Sequence, residues 1–173
     1  MNLILLGFKG SGKSFWGRRL SSVLQCPFLD TDLLVEAHYG KAVRDIVLQE
    51  GETRFRQLES EILHRVNPTQ PTVIATGGGI VIDPRNRELL QRLGQCVHLK
   101  VDKTILENRL FTQKHLPTFI DPVDPKASFE TIYEKRISLY ESIQDHCLEV
   151  STQTETAILE QLIHIMRDLI HGK

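Results

Sequence analysis

The sequence predicts an α/β fold in which helices cover both faces of a parallel β-sheet. Short apolar runs alternate along the chain with longer segments of helical periodicity. The first run, residues 3–6, leads directly into a glycine-rich loop and then into a helix, the order expected when a buried parallel strand begins the sheet. Parallel strands need crossover connections, so this alternation favours one sheet.

In the first half of the chain, glycines and prolines separate the predicted elements. Helices show apolar residues three and four positions apart, and strands are short aliphatic or β-branched runs. The predicted order is a strand at 3–6, a helix at 15–24, a strand at 27–29, helices at 33–38, 43–49 and 52–66, and a strand at 72–76. The last strand runs into three consecutive glycines, which permit close approach of the backbone to a ligand.

In the second half, capping residues mark the helices, as Asp83 and Asp102 show. The predicted order is a helix at 84–93, a strand at 96–101, helices at 103–111 and 129–143, a strand at 147–150 and a helix at 154–171. Between them, residues 112–128 contain three prolines and two aspartates, so we expect an irregular segment. Irregular segments this long in compact domains are typically functional or mobile.

Composition limits the class of protein. The chain has 173 residues, 40% of them hydrophobic and 25% charged, which fits one globular domain over residues 1–173. A net charge of −1 gives no general attraction to nucleic acid or to an anionic membrane, so we expect neither as a partner. Cys26, Cys96 and Cys147 are widely spaced and are expected to be buried free thiols, typical of a reducing compartment. No segment approaches the ~18 apolar residues of a membrane span, and we expect a cytoplasmic protein.

The glycine-rich loop predicts a nucleotide site. Residues 7–14 read GFKGSGKS, which matches G-x-x-x-x-G-K-[ST] between a strand and a helix. Backbone amides of such a loop and the N-terminus of the following helix bind phosphates. Lys13 would contact the β- and γ-phosphates, and the Ser14 hydroxyl would ligate Mg²⁺.

Two aspartates follow the second predicted strand. Asp30 and Asp32 are separated by one residue, so strand geometry would point both carboxylates to the same side, towards the phosphates. One could hold the magnesium hydration shell while the other accepts a proton from an attacking hydroxyl. The alternative is that Asp32 caps the next helix and Asp30 is solvated.

Two arginines are candidates for binding an acidic acceptor. Arg56 could hold a carboxylate bidentately, with Glu59 orienting it, although the spacing of three equally suits a surface ion pair of little energetic value. Arg136 could be a second arginine on the same anion, or it could belong to a solvated helix face beside Glu134 and Lys135.

The ordered set of motifs resembles the shikimate kinase family. It comprises G-x-x-G-x-G-K-S at 7–14, D-T-D at 30–32, G-E-x-x-F-R-x-L-E at 51–59, A-T-G-G-G at 75–79 and R-x-x-x-Y at 136–140. The resemblance implies ATP-dependent phosphorylation of the 3-hydroxyl of shikimate, in the chorismate pathway to aromatic amino acids. It also implies a P-loop kinase fold with a five-stranded parallel sheet in the order 2-3-1-4-5, a shikimate-binding region at about 33–62 and a mobile lid at about 112–128.

The resemblance also assigns roles by position. It implies nucleotide contacts from Gly10, Ser11, Gly12, Lys13, Ser14, Phe15 and, near the adenine, Arg109; magnesium ligation by Ser14 and Asp30; catalysis by Lys13 and Asp32; and substrate binding by Asp32, Arg56, Gly78, Gly79 and Arg136. ATP and Mg²⁺ would be the cofactors, shikimate the small-molecule partner, and the enzyme a monomer.

The lid departs from the family pattern at one position. The family usually has an arginine directly before a lid proline, and that arginine reaches the transferred phosphate, whereas this chain has Leu116 before Pro117. Lys114, His115 or Lys9 could substitute, although an ammonium does not reproduce a guanidinium fork. We therefore expect a slower kinase or a lid that closes in another register.

Two other functions remain open from the sequence. One is a gluconate-type kinase of the same fold, whose acceptor would not need both arginines. The other is a nucleotide-binding regulatory protein with weakened catalysis, which the altered lid would permit.

Overall fold

The computed structural model describes residues 1–172 and confirms the predicted α/β fold. Within those residues it contains five strands and eight α-helices. The strands are β1 Asn2–Leu6, β2 Phe28–Asp30, β3 Val73–Ala75, β4 Gly94–Lys100 and β5 His146–Glu149. The helices are α1 Lys13–Leu24, α2 Thr31–Tyr39, α3 Val43–Glu50, α4 Glu52–Arg65, α5 Pro84–Leu93, α6 Lys103–Phe111, α7 Pro125–Glu141 and α8 Glu155–His171.

The sheet is parallel, with the order β2-β3-β1-β4-β5 that the family resemblance implied. All five residues of β1 are buried, as expected for the central strand. Ala75 of β3 pairs with Leu5 on one side and with Asp30 on the other. This register brings the carboxyl ends of three strands level at one edge, where open α/β sheets bind ligands.

Alternating residues of β1 build the core on both faces of the sheet. Ile4 and Leu6 pack in a cluster that includes residues of α4, α5, α6 and α7. Leu3 and Leu5 face the other side, where Trp16 of α1 and Leu162 of α8 are buried. A smaller cluster under α2, α3 and α4 includes Phe55, so the helical region beside the sheet has apolar packing of its own.

The predicted irregular segment is shorter than expected. Helix α7 begins at Pro125, so residues 125–128 are helical. Asp124 caps this helix by accepting a hydrogen bond from the Ala127 amide (3.1 Å). Pro125 stands in the first turn, where its missing N–H costs nothing. A 3₁₀ turn at Ile80–Ile82, which the sequence pattern did not predict, follows the three glycines.

The prediction of three buried thiols holds only for Cys96. Cys26 is half-buried, and Cys147 is exposed because it lies on the edge strand β5. None of the helices described in residues 1–172 is long and apolar enough to cross a membrane.

Candidate active site

A cavity of about 330 Å³ lies at the edge of the sheet where the carboxyl ends of β1, β2 and β3 meet. Its walls come from the glycine loop, the start of α2, the three glycines after β3, and the helices α3, α4 and α7. Thr118 and Phe119 of the irregular segment complete it. The motifs that the sequence singled out therefore converge on one cavity.

The glycine loop closes around the Lys13 side chain. Gly7, Gly10 and Gly12 have φ angles of 147°, 89° and 89°, which other residues rarely adopt. The Lys13 ammonium donates hydrogen bonds to the carbonyl oxygens of Gly7 (2.7 Å) and Phe8 (3.0 Å). Burial lowers the pKa of Lys13 to about 8, although two nearby carboxylates oppose this shift.

The remaining loop residues lie at the first turn of α1. The Ser11 hydroxyl is buried inside the loop beside Gly7 and has no hydrogen-bond partner among residues 1–172, and Ser11 does not line the cavity. Phe15 is 52% exposed at the rim of the cavity, edge-on to Trp16. Arg109 lies on the outer side of the loop, where Nη1 donates to the Gly10 carbonyl (2.8 Å).

Asp30 links the second strand to the glycine loop. It is the last residue of β2 and the N-cap of α2, and its Oδ1 accepts a hydrogen bond from the Asp32 amide (3.1 Å). Its Oδ2 accepts a hydrogen bond from the Ser14 hydroxyl (2.5 Å). The interpretation that Asp32 caps the helix and Asp30 is solvated is wrong, because Asp30 is the buried cap.

Asp32 faces the cavity for a different reason from the one predicted. It lies in the first turn of α2, so strand alternation does not orient it. Its Oδ1 is buried, with no hydrogen-bond partner in the part of the chain that the structure describes. Burial, reinforced by the charge of Asp30, raises the pKa of Asp32. A Cβ on Gly77 would lie 2.5 Å from this oxygen, so only glycine fits beside it.

Arg56 and Glu59 form a largely buried pair, so the interpretation as a surface ion pair is wrong. Arg56 Nη1 donates to Glu59 Oε2 (2.7 Å), and Nη2 lies 3.1 Å from a carboxylate oxygen of Glu52. Glu59 is 1% exposed, and burial raises its pKa to about 7 against the pull of the arginine. The guanidinium packs against Gly79, where a Cβ would clash with it.

Arg136 is buried, not on a solvated helix face. Its guanidinium carbon lies 5.4 Å from the ring centroid of Phe8 and 4.4 Å from that of Phe119, and these two rings also pack on each other. Its Nε has no hydrogen-bond partner among the residues described. Burial lowers the pKa of Arg136, and a carboxylate in the cavity would satisfy this cation.

A family model for shikimate kinase matches residues 9–167, which is most of the chain. The chain belongs to the shikimate kinase family. Membership makes it an ATP-dependent kinase that phosphorylates a hydroxyl group of shikimate, a step of aromatic amino acid biosynthesis.

Relatives and solved structures support the assignment. The chain is 38% identical to a shikimate kinase of Microcystis aeruginosa over 163 residues, covering 94% of this chain and 85% of the relative. It is 36% identical to one of Streptococcus gordonii over 164 residues, covering 92% and 97%. A shikimate kinase structure from Acinetobacter baumannii, solved in complex with shikimate, superposes with a TM-score of 0.83 at 28% identity, covering 99% of this chain and 93% of that one.

The structure adds contacts to the shikimate kinase site that the motifs did not indicate. Phe8 and Phe119 hold Arg136, and Tyr140 donates a hydrogen bond to the carbonyl oxygen of Gly78. In the irregular segment, the Leu116 carbonyl accepts a hydrogen bond from Arg44 of α3 (3.1 Å). The late R-x-x-x-Y motif was the only sequence signal for Tyr140.

Proposed function

We propose that the chain transfers the γ-phosphoryl group of ATP specifically to the 3-hydroxyl of shikimate, with Asp32 accepting the hydroxyl proton. The observation that supports this role best is that Asp32 lines the same cavity as Lys13 and Arg56, and that its buried Oδ1 has no hydrogen-bond partner within residues 1–172. A raised pKa keeps a carboxylate closer to the basicity that proton transfer requires.

Ser14 and Asp30 are the proposed magnesium site. A hydroxyl and a carboxylate oxygen 2.5 Å apart are hard ligands, and two protein ligands leave the other positions for phosphate oxygens and water, as Mg²⁺ prefers. When bound, the ion offsets negative charge on the phosphates. Backbone amides of residues 10–15 and the side chain of Lys13 hold the phosphates in this proposal, and Arg109 is the proposed contact of the adenine.

On the acceptor side, Arg56 and Arg136 hold the carboxylate of shikimate. Both guanidinium groups line the cavity and both are largely buried, which strengthens charge-assisted hydrogen bonds. Glu52 and Glu59 fix the orientation of Arg56. Gly78 and Gly79 offer backbone amides to the substrate hydroxyls, and their lack of a side chain leaves room for it.

Residues 33–62 form the shikimate-binding region, and residues 112–124 form the lid. Closing the lid would exclude water, which would otherwise compete with shikimate as acceptor. The proposed enzyme is a monomer with a single domain. Free thiols at 26 and 147 suit the reducing cytoplasm.

Product analysis by ³¹P NMR tests the regiochemistry and the role of Asp32. With ATP, magnesium and shikimate, we expect one product, shikimate 3-phosphate. Asp32→Asn should lower kcat by about 10²–10⁴-fold, the usual contribution of a general base, with little change in the KM for ATP. Chelation of magnesium should abolish turnover. Phosphorylation at another hydroxyl, or a kcat unchanged by Asp32→Asn, would contradict the proposal.

A further inference from the structure

Four cations line the cavity, and neighbouring groups hold three of them in place. Lys13 donates hydrogen bonds to two loop carbonyls, Arg56 is paired with two glutamates, and Arg136 is buried against two aromatic rings. The fourth is Lys9, at the crest of the glycine loop. Within residues 1–172, the Lys9 side chain forms no hydrogen bond or ion pair, and the residue is exposed.

Lys9 stands at the junction of two cavities. It lines the active-site cavity together with Asp32, and it also lines a neighbouring cavity of about 450 Å³ beneath the irregular segment. Lys114, His115 and Leu116 line only the second cavity. Lys9 therefore lines the cavity that contains the proposed base, whereas those three residues line only the neighbouring one.

The backbone around Lys9 fixes this position. The Lys9 amide nitrogen lies 3.1 Å from where a Cβ of Gly78 would stand, so the loop crest packs directly on the glycines of the acceptor side. The charge of Lys9 opposes the raised pKa of Asp32, which agrees with their common side of the cavity. A flexible lysine here can reach a group that moves between donor and acceptor.

We infer that Lys9 is a catalytic residue that binds the phosphoryl group during its transfer from ATP to the acceptor oxygen. The transferred group carries negative charge on its equatorial oxygens, and a cation placed on them lowers the barrier. The γ-phosphorus bond to the bridging oxygen of ADP breaks, the bond to the substrate oxygen forms, and the hydroxyl proton passes to Asp32. The inference rests on the proposed function for the identity of the acceptor.

The test compares Lys9→Met with Lys9→Arg and with Lys126→Met, which removes one positive charge from an exposed position of α7 outside the cavity. We expect Lys9→Met to lower kcat by about 10–10³-fold, Lys9→Arg to restore most of it, and Lys126→Met to have no effect. Equal kcat values in Lys9→Met and the parent would overturn the inference.

A binding measurement separates this role from general attraction of nucleotide. By titration calorimetry, Lys9→Met should weaken binding of magnesium ADP with aluminium fluoride, which mimics the transferred group, by about tenfold or more, and leave magnesium ADP alone within about twofold. Equal weakening of both, or of neither, would overturn the inference. This comparison needs no turnover, so it decides the role of Lys9 even if the parent fails to phosphorylate shikimate, which would refute the proposed function instead.

Replacement of Leu116 supplies a second check. Leu116 and Lys9 line the same neighbouring cavity, so Leu116→Arg would add a guanidinium near the Lys9 side chain. We expect this variant to gain no more than about twofold in kcat over the parent. A gain of about tenfold or more would show that the parent lacks a cation on the transferred group, and would overturn the inference.

Discussion

The lid ring of Phe119 should control the affinity for shikimate through Arg136. Its ring centroid lies 4.4 Å from the guanidinium carbon of Arg136, which is 3% exposed, and its edge packs on Phe8 at 5.8 Å. A desolvated cation–π contact contributes about 2 kcal/mol. Phe119→Leu keeps an apolar side chain and removes this contact, so Arg136 would lose part of its preorganisation for a carboxylate.

If about 1–2 kcal/mol of carboxylate binding depends on that contact, the KM for shikimate should rise about 5–30-fold in Phe119→Leu. The KM for ATP should change little, because the proposed nucleotide contacts come from the glycine loop and not from Arg136. Steady-state kinetics with each substrate varied in turn gives both values. Phe119→Tyr keeps the ring and should match the parent.

Phe111→Leu is a suitable control, because Phe111 packs on the ring of Phe129 (6.1 Å between centroids) and does not line the cavity with Arg136. It should leave the KM for shikimate within about twofold. An unchanged KM in Phe119→Leu, or an equal rise in Phe111→Leu, would refute the link between the lid ring and Arg136.

Three further results are expected. Gly79→Ala places a Cβ against the Arg56 guanidinium, so the KM for shikimate should rise about tenfold or more while the circular dichroism spectrum stays unchanged. An unaltered KM would show that Arg56 does not bind the substrate. Burial lowers the pKa of Lys13 to about 8, so the ammonium loses its proton as the pH rises through 8. The affinity for ADP should fall over the same range when it is measured by calorimetry without shikimate. An affinity that does not change with pH would contradict this. Tyr140→Phe leaves the carbonyl of Gly78 without its buried donor, so denaturant titration should show a free energy of unfolding lower by about 1–2 kcal/mol, and no loss would contradict that role.

The sequence predicted which motifs meet because the carboxyl ends of parallel strands share an edge. The glycine loop follows β1, Asp30 ends β2, and Gly77 follows β3, so the register of Leu5, Ala75 and Asp30 brings them together. That prediction needed only strand order and alternation. The strand order itself came from the family resemblance.

Side-chain burial was harder to predict because it depends on distant segments. From the sequence, Glu59 and Arg136 could both have been surface residues on charged helices. In the structure, tertiary packing buries both side chains. Arg136 is covered by Phe119, which belongs to a segment without periodicity, so no local pattern could have paired them. Asp32 was assigned to the correct cavity on the wrong geometry, because helix α2 begins at Thr31, two residues before the predicted start at 33.

The most direct test of the central claim is a coupled assay of ADP release by the purified protein with ATP and magnesium. We expect ADP release to depend on shikimate and to be absent with gluconate. Replacement of Arg56 by alanine should lower kcat/KM for shikimate by about 10²-fold or more. Turnover that is independent of shikimate, supported equally by gluconate, or unaffected by Arg56→Ala would contradict the claim.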